Sequence, residues 1–542
     1  MRIALAQQNY HIGNFDANRE KIISAIQEAK KQNADLIVFS EMSVCGYPPR
    51  DFLEFKDFIE QCNQSINKIA EHTKNIAVIV GAPSINSDMN GKDLFNSAYF
   101  LAGGKVKQII NKTLLPTYDI FDEVRYFEAN RNFSLVEWNG KKIALTICED
   151  IWNVGNNPLY VTTPMDELKK LNPDFVINIS ASPFDYAHAD ERKNVVKEVA
   201  TKYQLPVFYC NAVGAQTELI FDGGSCVFNE EGELAAQLSF FKEEIKVIEF
   251  PNPSLVDVSP TTSNANKIHD ALVMGVKDYF QKLNFEKAIL GLSGGVDSAL
   301  VLVLAARALG NENVKAVLLP SQFSSEHSVS DAIALCKNLN IAYEKISIEN
   351  VFENYLKTLS PSFENKPFDV TEENLQARIR GTMLMALSNK HHYILLNTSN
   401  KSEAAVGYGT LYGDMCGGLS VIGDIYKTQV YELCEFINRD GEIIPKNILT
   451  KAPSAELRPN QKDSDSLPDY EILDKILFQY IENRKGPKEI TAMGVDKNLV
   501  ERVLRLVNTN EYKRQQTPPV LRVSSKAFGQ GRRLPIVGKY LS

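Results

Sequence analysis

The stretch GLSGGVDSAL, residues 291–300, combines two adjacent glycines, two serines and one aspartate, and it contains no lysine. Glycines let backbone amides approach an anion closely, and the helix predicted after this stretch would present further N–H groups. The Walker pattern GxxxxGK[ST] is absent. A phosphate-binding loop of this kind needs cations from elsewhere in the chain. Asp297 beside a polyphosphate would have to face a metal ion.

A second group of residues could carry out covalent chemistry. Glu41, Lys112 and Cys148 each lie at the end of a strand-like run, in DLIVFSE, KQIINK and KKIALTIC. A thiol has a reference pKa of about 8.5, so it needs help to react as a thiolate. A nearby carboxylate can take its proton, and a lysine can stabilise the oxyanion of a tetrahedral intermediate. Taken singly, each of the three residues also fits a structural role.

The elements around these groups predict an α/β protein with two domains. Residues 1–250 mix short strands with helices, and apolar runs such as LIVF suit strands that are buried on both faces. In residues 266–542 strands and helices alternate, which predicts a doubly wound parallel sheet with ligands at the carboxyl ends of its strands. Residues 251–265 are rich in Pro, Ser and Thr without a periodic apolar face, which predicts a linker.

The second domain resembles the ATP pyrophosphatase superfamily and, within it, the NAD synthetases. The resemblance rests on SGGVDS, LPSQFSSEHSVSDA (319–332), EENLQARIRGTMLMALSN (372–389), NTSNKSEAAVGYGTLYGDMCGGLSVIGDIYKTQVYEL (397–433) and EYKRQQTPP (511–519). It implies an adenine nucleotide hydrolase-like fold. It also implies that ATP is cleaved between its α and β phosphates, that a substrate oxygen is adenylated, and that a nitrogen nucleophile then displaces AMP.

The same resemblance assigns the binding residues of this domain. ATP is expected at Gly291, Leu292, Ser293, Gly294, Gly295, Val296, Asp297, Ser298, Arg378, Thr398 and Lys427. Deamido-NAD is expected at Asn374, Glu403 and Lys513. Asp297 and Glu403 are predicted to hold Mg²⁺, which prefers hard carboxylate and phosphate oxygens. Lys427 and Lys513 are the candidates for the phosphate cation that the loop lacks.

The first domain resembles the carbon–nitrogen hydrolases of the nitrilase superfamily over residues 1–250. The resemblance rests on FSEMSVCGYPPRD, NKTLLPTYDIFDEVRYF and LTICEDIWN. It implies an α-β-β-α sandwich in which Glu41 is the general base, Lys112 stabilises the oxyanion and Cys148 forms a glutamyl thioester. Glu149, beside the nucleophile, is expected to support it.

The resemblance also implies that glutamine contacts Tyr118, Ser182 and His188. The segment SASPFDYAHADER departs from the family pattern SPxxxxK at His188, where the family has lysine. A histidine is charged only part of the time at neutral pH, so a glutamine contact at this position stays open.

A glutaminase joined to an NAD synthetase implies that deamido-NAD, ATP, glutamine and water give NAD, AMP, pyrophosphate and glutamate, the final step of NAD biosynthesis. Ammonia is expected to pass through a closed internal path, since water would protonate it. Another glutamine-fed ATP pyrophosphatase ligase would carry a GxCxG elbow or an N-terminal cysteine, and the sequence has neither. A non-catalytic nucleotide sensor would be expected to have lost Cys148, Asp297 or Glu403.

Composition and charge disfavour nucleic acids and membranes as partners, which leaves the small molecules named above. The chain has 542 residues and a net charge of −8, which disfavours nucleic-acid binding. No apolar run reaches the ~20 residues of a membrane span or forms a signal peptide, so we expect a cytoplasmic protein without a membrane partner. Its eight cysteines contain no CxxC pair, as in reduced proteins. By resemblance, the chain is expected to form a homo-oligomer built on a dimer of synthetase domains, with the octamer as the leading alternative.

Overall fold

The computed structural model describes residues 1–88, 90–155, 159–251 and 263–541. The chain divides into two compact units, Met1–Thr261 and Thr262–Ser542. Most of the predicted linker, from 252 to 262, lies outside the described residues. Among the helices of the described residues, none has both the length and the apolar character that crossing a bilayer requires.

The first unit contains two six-stranded sheets, with strand orders β14-β1-β2-β3-β4-β5 and β13-β12-β9-β8-β7-β6, and a hairpin of β10 and β11. The strands are β1 (Arg2–Gln7), β2 (Leu36–Phe39), β3 (Ala77–Ile85), β4 (Leu94–Ala102), β5 (Lys105–Asn111), β6 (Val136–Trp138), β7 (Lys141–Ile147), β8 (Phe175–Ser180), β9 (Val207–Asn211), β10 (Val213–Gln216), β11 (Leu219–Asp222), β12 (Cys226–Phe228), β13 (Leu234–Gln237) and β14 (Glu244–Glu249). The helices are α1 (Phe15–Lys31), α2 (Lys56–Glu71), α3 (Pro164–Lys169) and α4 (His188–Tyr203).

Alternation along the strands arranges these elements in four layers. In β1, Ile3 and Leu5 pack against residues of the opposite sheet, whereas Ala4 and Ala6 pack against α1 and α2. Residues of β8 such as Val176 point the other way, to α3 and α4. Because each central strand is buried on both faces, its sequence is continuously apolar. The predicted α-β-β-α sandwich is confirmed.

The second unit is built on one parallel sheet with the strand order β17-β16-β15-β18-β19. Its elements are α5 (Asn264–Lys282), β15 (Ala288–Gly291), α6 (Val296–Leu309), β16 (Val314–Leu318), α7 (Glu326–Asn338), β17 (Ala342–Lys345), α8 (Glu349–Phe363), α9 (Val370–His391), β18 (Ile394–Asn397), α10 (Lys401–Val406), β19 (Leu419–Ser420), α11 (Lys427–Asn438), α12 (Lys446–Thr450), α13 (Tyr470–Ile481), α14 (Pro487–Ala492), α15 (Lys497–Thr509) and α16 (Glu511–Arg514). The predicted doubly wound parallel sheet is confirmed.

The strand order of this sheet reverses beside β15. From β15 the chain moves outward through β16 to β17, and it then returns to place β18 on the other side of β15. In open α/β sheets, ligands bind at the carboxyl ends of the strands where the order reverses. The glycine-rich loop follows β15, and Thr398 follows β18, so both lie at this point.

A buried ion cluster holds the C-terminal stretch of the second unit. Lys401, the first residue of α10, has 0% exposure, and its ammonium lies 2.9 Å from carboxylates of Asp424 and Glu482. It also donates to the Ser524 hydroxyl at 2.7 Å. Asp424 in turn accepts the backbone N–H groups of Val523 and Ser524. The cluster thereby fixes residues 523–524 to the helix that carries Glu403.

Candidate active sites

The three candidate residues for covalent chemistry each follow a strand of the first unit. Glu41 comes after β2, Lys112 directly after β5 and Cys148 directly after β7. The Lys112 ammonium lies 2.8 Å from Glu41 Oε1, and each side chain is only 1% exposed. Burial raises the pKa of the Cys148 thiol, the nearby Glu41 carboxylate raises it further, and Lys112 opposes the increase. The thiol is therefore held protonated next to a group that can accept its proton.

The Glu41 carboxylate is fixed through both of its oxygens. Asn96 Nδ2 donates to Oε1 at 2.7 Å, and the backbone N–H of Ala181 donates to Oε2 at 2.9 Å. These bonds leave the carboxylate little freedom to rotate. A general base that is oriented in this way does not have to be ordered during the reaction.

Glu123 is a fourth residue of this site, and the sequence analysis did not single it out. Its Oε1 atom accepts from Lys112 Nζ at 2.9 Å and from the Tyr47 hydroxyl at 2.9 Å. Burial raises the pKa of Glu123 to about 7, Lys112 lowers it and Glu41 raises it. Glu123 lies inside the motif YDIFDEVRYF, but two aspartates in the same motif made it indistinguishable by residue type.

A short 3₁₀ turn, Cys148–Ile151, presents the nucleophile. Cys148 has a φ of 43°, in the left-handed region of backbone conformation that residues other than glycine rarely adopt. The Asp150 carboxylate holds the turn by accepting N–H groups of Ile147 at 3.0 Å, Thr113 at 2.9 Å and Leu114 at 2.8 Å. Burial raises the pKa of Asp150 to about 6, although the N–H groups oppose the shift. The turn and the segment that carries Lys112 are thus tied together by one side chain.

Of the three residues predicted to contact glutamine, Tyr118 bonds Glu149, and Ser182 lies beside His188. The Tyr118 hydroxyl donates to Glu149 Oε1 at 2.9 Å, and the Tyr160 hydroxyl donates to the same atom at 3.0 Å. Ser182 Oγ and His188 Nε2 lie 3.1 Å apart.

His188 is also connected to the end of the nucleophile turn. Its ring stacks on Trp152 with centroids 4.9 Å apart and an interplanar angle of 1°. Its Nδ1 atom lies 3.4 Å from Glu191 Oε2.

Tyr160 was missed by the sequence analysis because no local pattern separates it from other loop tyrosines.

The glycine-rich loop of the second unit lines a cavity of about 300 Å³. The predicted loop residues on its wall are Gly291, Leu292, Ser293, Gly295, Val296, Asp297 and Ser298. Gly294 has a φ of +81°, and a Cβ at this position would collide with the backbone of Ser328. Thr398, Glu403 and Lys427 line the same cavity. Its size is at the lower end of the range for small-molecule sites.

Two carboxylates share one ammonium at this cavity. Lys427 Nζ lies 2.5 Å from Asp297 Oδ2 and 3.4 Å from Glu403 Oε1. Burial and the charge of Asp297 raise the pKa of Glu403 to about 8, against the effect of Lys427. The two carboxylates are therefore incompletely neutralised by one lysine.

Mg²⁺ fits these carboxylates by the chemistry of the donor set, since both offer hard oxygens and share excess negative charge. In the described part of the chain, no cluster of three or more His, Cys, Asp or Glu side chains could hold a metal. Phosphate and water oxygens would therefore have to supply the remaining ligands, as is usual for this ion.

Besides Gly294, three predicted binding residues of the second unit do not line this cavity, and these three contact the segment 407–411. Arg378 Nε donates to the Leu411 carbonyl at 3.2 Å. The Thr410 hydroxyl donates to Asn374 Oδ1 at 2.6 Å. Lys513 Nζ donates to the carbonyls of residues 407 and 409, both at 2.8 Å. The structure gathers these residues around one segment, separately from the loop.

Other cavity residues escaped the sequence analysis. Arg380 lines the wall and donates to the Leu319 carbonyl at 2.9 Å, and burial lowers its pKa to about 10. Residues 451–457, in the stretch KAPSAELRP, form another part of the wall. This stretch has two prolines and no periodic apolar pattern, so no local sequence signal marks it as part of a site.

Comparison with known proteins gives two family matches. The family model described as carbon-nitrogen hydrolase matches residues 2–256, and the one described as NAD synthase matches residues 268–517.

Similar proteins extend over the whole chain. A glutamine-dependent NAD(+) synthetase of Synechocystis is 43% identical over 546 residues, covering 98% of each chain. One of Acinetobacter baylyi is 43% identical over 542 residues, covering 99% of this chain and 98% of the other. The solved structure of the Acinetobacter baumannii enzyme, in complex with ADP, is 40% identical with a TM-score of 0.79, covering 99% of this chain and 98% of that one.

Proposed function

Because the chain belongs to the glutamine-dependent NAD(+) synthetases, we propose that its first unit releases ammonia from glutamine and its second unit uses that ammonia to amidate deamido-NAD. The chain is a carbon–nitrogen ligase that consumes ATP and takes its amide nitrogen from glutamine. The observation that carries the division of labour is the pair of unlike sites. One holds a buried Cys–Glu–Lys group, and the other holds a phosphate-type loop on a cavity.

The glutaminase reaction begins with proton transfer from the Cys148 thiol to Glu41. The thiolate attacks the side-chain amide carbon of glutamine, and Lys112 donates a hydrogen bond to the oxyanion that forms. Collapse of the tetrahedral intermediate breaks the carbon–nitrogen bond, and Glu41 returns the proton to the departing ammonia. Water, deprotonated by Glu41, then hydrolyses the thioester to glutamate and restores the thiol.

Glu123 supports this sequence by balancing charge. Lys112 lies between two carboxylates at 2.8 and 2.9 Å, and together they raise its pKa even though burial lowers it. The ammonium therefore stays charged while Glu41 alternates between its acid and base forms. Tyr118, Ser182 and His188 are assigned to glutamine binding, with Glu149 as a carboxylate that Tyr118 orients.

In the second unit, the amides of the loop hold the phosphates of ATP, and Thr398 contacts the nucleotide at the end of β18. A carboxylate oxygen of deamido-NAD attacks the α-phosphorus and pyrophosphate leaves. Ammonia then attacks the activated carbonyl carbon and AMP leaves, giving NAD.

The remaining assignments concern the metal and the dinucleotide. Asp297 and Glu403 would hold Mg²⁺, which when bound draws negative charge from the phosphate oxygens. Lys427 then neutralises the charge that remains on these carboxylates. Asn374 and Lys513 are assigned to deamido-NAD, and Arg378 is assigned to ATP. All three residues contact the segment 407–411. We assign the protein to the cytoplasm and expect it to form a homo-oligomer. Light scattering of the purified chain tests the oligomeric state.

The test of this function uses two nitrogen sources. Cys148→Ala should abolish NAD synthesis from glutamine and leave synthesis from ammonium within about twofold, because the thiol acts only in releasing ammonia. Cys226→Ala, at another buried cysteine of the same unit, is the matched control and should retain both activities. Equal loss with both nitrogen sources would refute the assignment of Cys148. Asp297→Asn should depress synthesis with either source.

A further inference from the structure

The loop SGGVDS contains no lysine, yet the chemistry assigned to it ends with a departing pyrophosphate. Of the two lysines predicted to supply the charge, Lys427 neutralises Asp297 and Glu403, and Lys513 contacts backbone carbonyls away from the cavity. Lys451, which follows α12, also lines the cavity and carries another ammonium.

Lys451 lies close to the glycine-rich loop. Its ammonium donates to the Ser328 hydroxyl and, at 2.8 Å, to Glu456 Oε1. The Ser328 backbone occupies the space beside Gly294 that a Cβ would need, so one residue separates Lys451 from the loop. Ser328 lines the cavity and is 1% exposed, which fixes the position of its hydroxyl.

The Glu456 carboxylate occupies surroundings that suit a phosphate. Its Oε1 atom accepts from the hydroxyls of Ser325 at 2.9 Å and Ser328 at 2.7 Å, in addition to Lys451. Its Oε2 atom accepts the backbone N–H of Ser325 at 3.1 Å. These bonds lower the pKa of Glu456 although burial opposes them, so the carboxylate is ionised. An ammonium, two hydroxyls and an N–H are the donors that bind phosphate oxygens.

We propose that Lys451 binds the part of ATP that leaves as pyrophosphate, and that Glu456 takes the place of this phosphate while the site holds no nucleotide. The proposal rests on the proposed function, since it requires that the cavity takes ATP. Exchange of one anion for another keeps Lys451 neutralised in both states. Glu456 has a φ of +50° and lies in the irregular segment 451–462, between α12 and the 3₁₀ turn Asp463–Asp465, so its release does not require a helix or strand to break.

The exchange predicts opposite effects for the two partners. Lys451→Gln should weaken binding of inorganic pyrophosphate and of α,β-methylene-ATP by about tenfold, because a charge-assisted bond is lost. Glu456→Gln should tighten binding of both ligands by roughly threefold or more, because the competing anion is removed. AMP, which lacks the departing phosphates, should bind each variant as it binds the parent.

The experiment is titration calorimetry on the full chain in Mg²⁺, with matched controls that alter charge at the same elements. Lys446→Gln, at the exposed start of α12, and Glu326→Gln, at the exposed start of α7, should leave all three affinities unchanged. Parallel losses in both Lys451 and Glu456 variants would mean that the pair only holds the loop in place, and would overturn the proposal.

Two further outcomes are decided by the same measurement. Equal effects on AMP and pyrophosphate would also overturn the proposal, because Lys451 would not distinguish the departing phosphates. If Lys451→Gln does not fold, the sign of the Glu456→Gln effect decides, since misfolding cannot produce tighter binding. Failure of the parent chain to bind α,β-methylene-ATP would instead contradict the proposed function.

Discussion

Replacing Lys401 with methionine should destabilise the second unit strongly and leave the first unit unchanged. The lysine is completely buried, and it neutralises Asp424 and Glu482, which are 0% and 3% exposed. Methionine has a similar length and no charge. The substitution therefore removes the ammonium that lies 2.9 Å from both carboxylates, while the packing volume is nearly kept.

Two routes give the same magnitude for the loss. Removing one partner of a buried ion pair costs about 3–5 kcal/mol. The cost is limited because a carboxyl group can take up a proton instead. For a carboxyl with an ordinary pKa near 4, protonation at pH 7 costs ~4 kcal/mol.

The assay is guanidinium denaturation of the full chain, followed by two signals. The two tryptophans, Trp138 and Trp152, both lie in the first unit, so their fluorescence follows that unit. Far-ultraviolet circular dichroism follows both units. Lys475→Met, at an exposed position of α13, is the matched control and should change stability by less than about 0.5 kcal/mol.

Lys401→Met should also impair synthesis from ammonium, because α10 carries Glu403, while glutamine hydrolysis persists. A loss of less than about 1 kcal/mol would refute the reasoning, since breaking a buried pair costs more.

Three other predictions address binding and transfer. His188→Lys should lower the KM for glutamine, because the lysine of the pattern SPxxxxK brings a permanent charge to this position; an unchanged or higher KM would contradict a charge contact. The apparent affinity for Mg²⁺ in the presence of ATP should rise between pH 7 and 9, because a proton competes for Glu403, whose pKa is raised to about 8, and Glu403→Gln should remove this dependence. Glutamine-driven synthesis in excess ¹⁵N-ammonium should give NAD with little label if ammonia travels internally, and label at the external isotope ratio would exclude such a path.

The elements that carry the sites were predictable because they depend on local patterns. A four-residue apolar run such as LIVF specifies a strand buried on both faces, and Glu41, the second residue after it, then lies near a sheet edge. The SGGVDS loop is equally local, since its glycines and the following helix are contiguous in sequence. The positions of Glu41, Lys112 and Cys148 after β2, β5 and β7 follow from the same reasoning.

The partners of these residues were not predictable, because they come from distant parts of the chain. Lys451 donates to Ser328 across 123 positions, and Glu41 accepts the backbone N–H of Ala181 across 140. Such contacts depend on how elements pack, and no local spacing encodes them. The contacts of Lys513 are also distant in sequence, since its ammonium donates to carbonyls that lie 106 and 104 positions away.

The pairing of β14 with β1 has a practical consequence for how the first unit can be joined to other proteins. Arg2 lies opposite Glu249, so the two ends of this unit are neighbours in one sheet. A domain whose termini are adjacent can be inserted at one site of a host protein. Alternatively, a short turn can join its termini, and new termini can be opened elsewhere. The turn at Gly103 and Gly104, where an added Cβ would meet nothing within 4 Å, is a suitable place for new ends. We expect a circular permutant opened there to keep the proposed release of ammonia from glutamine, so that it can be joined to other proteins.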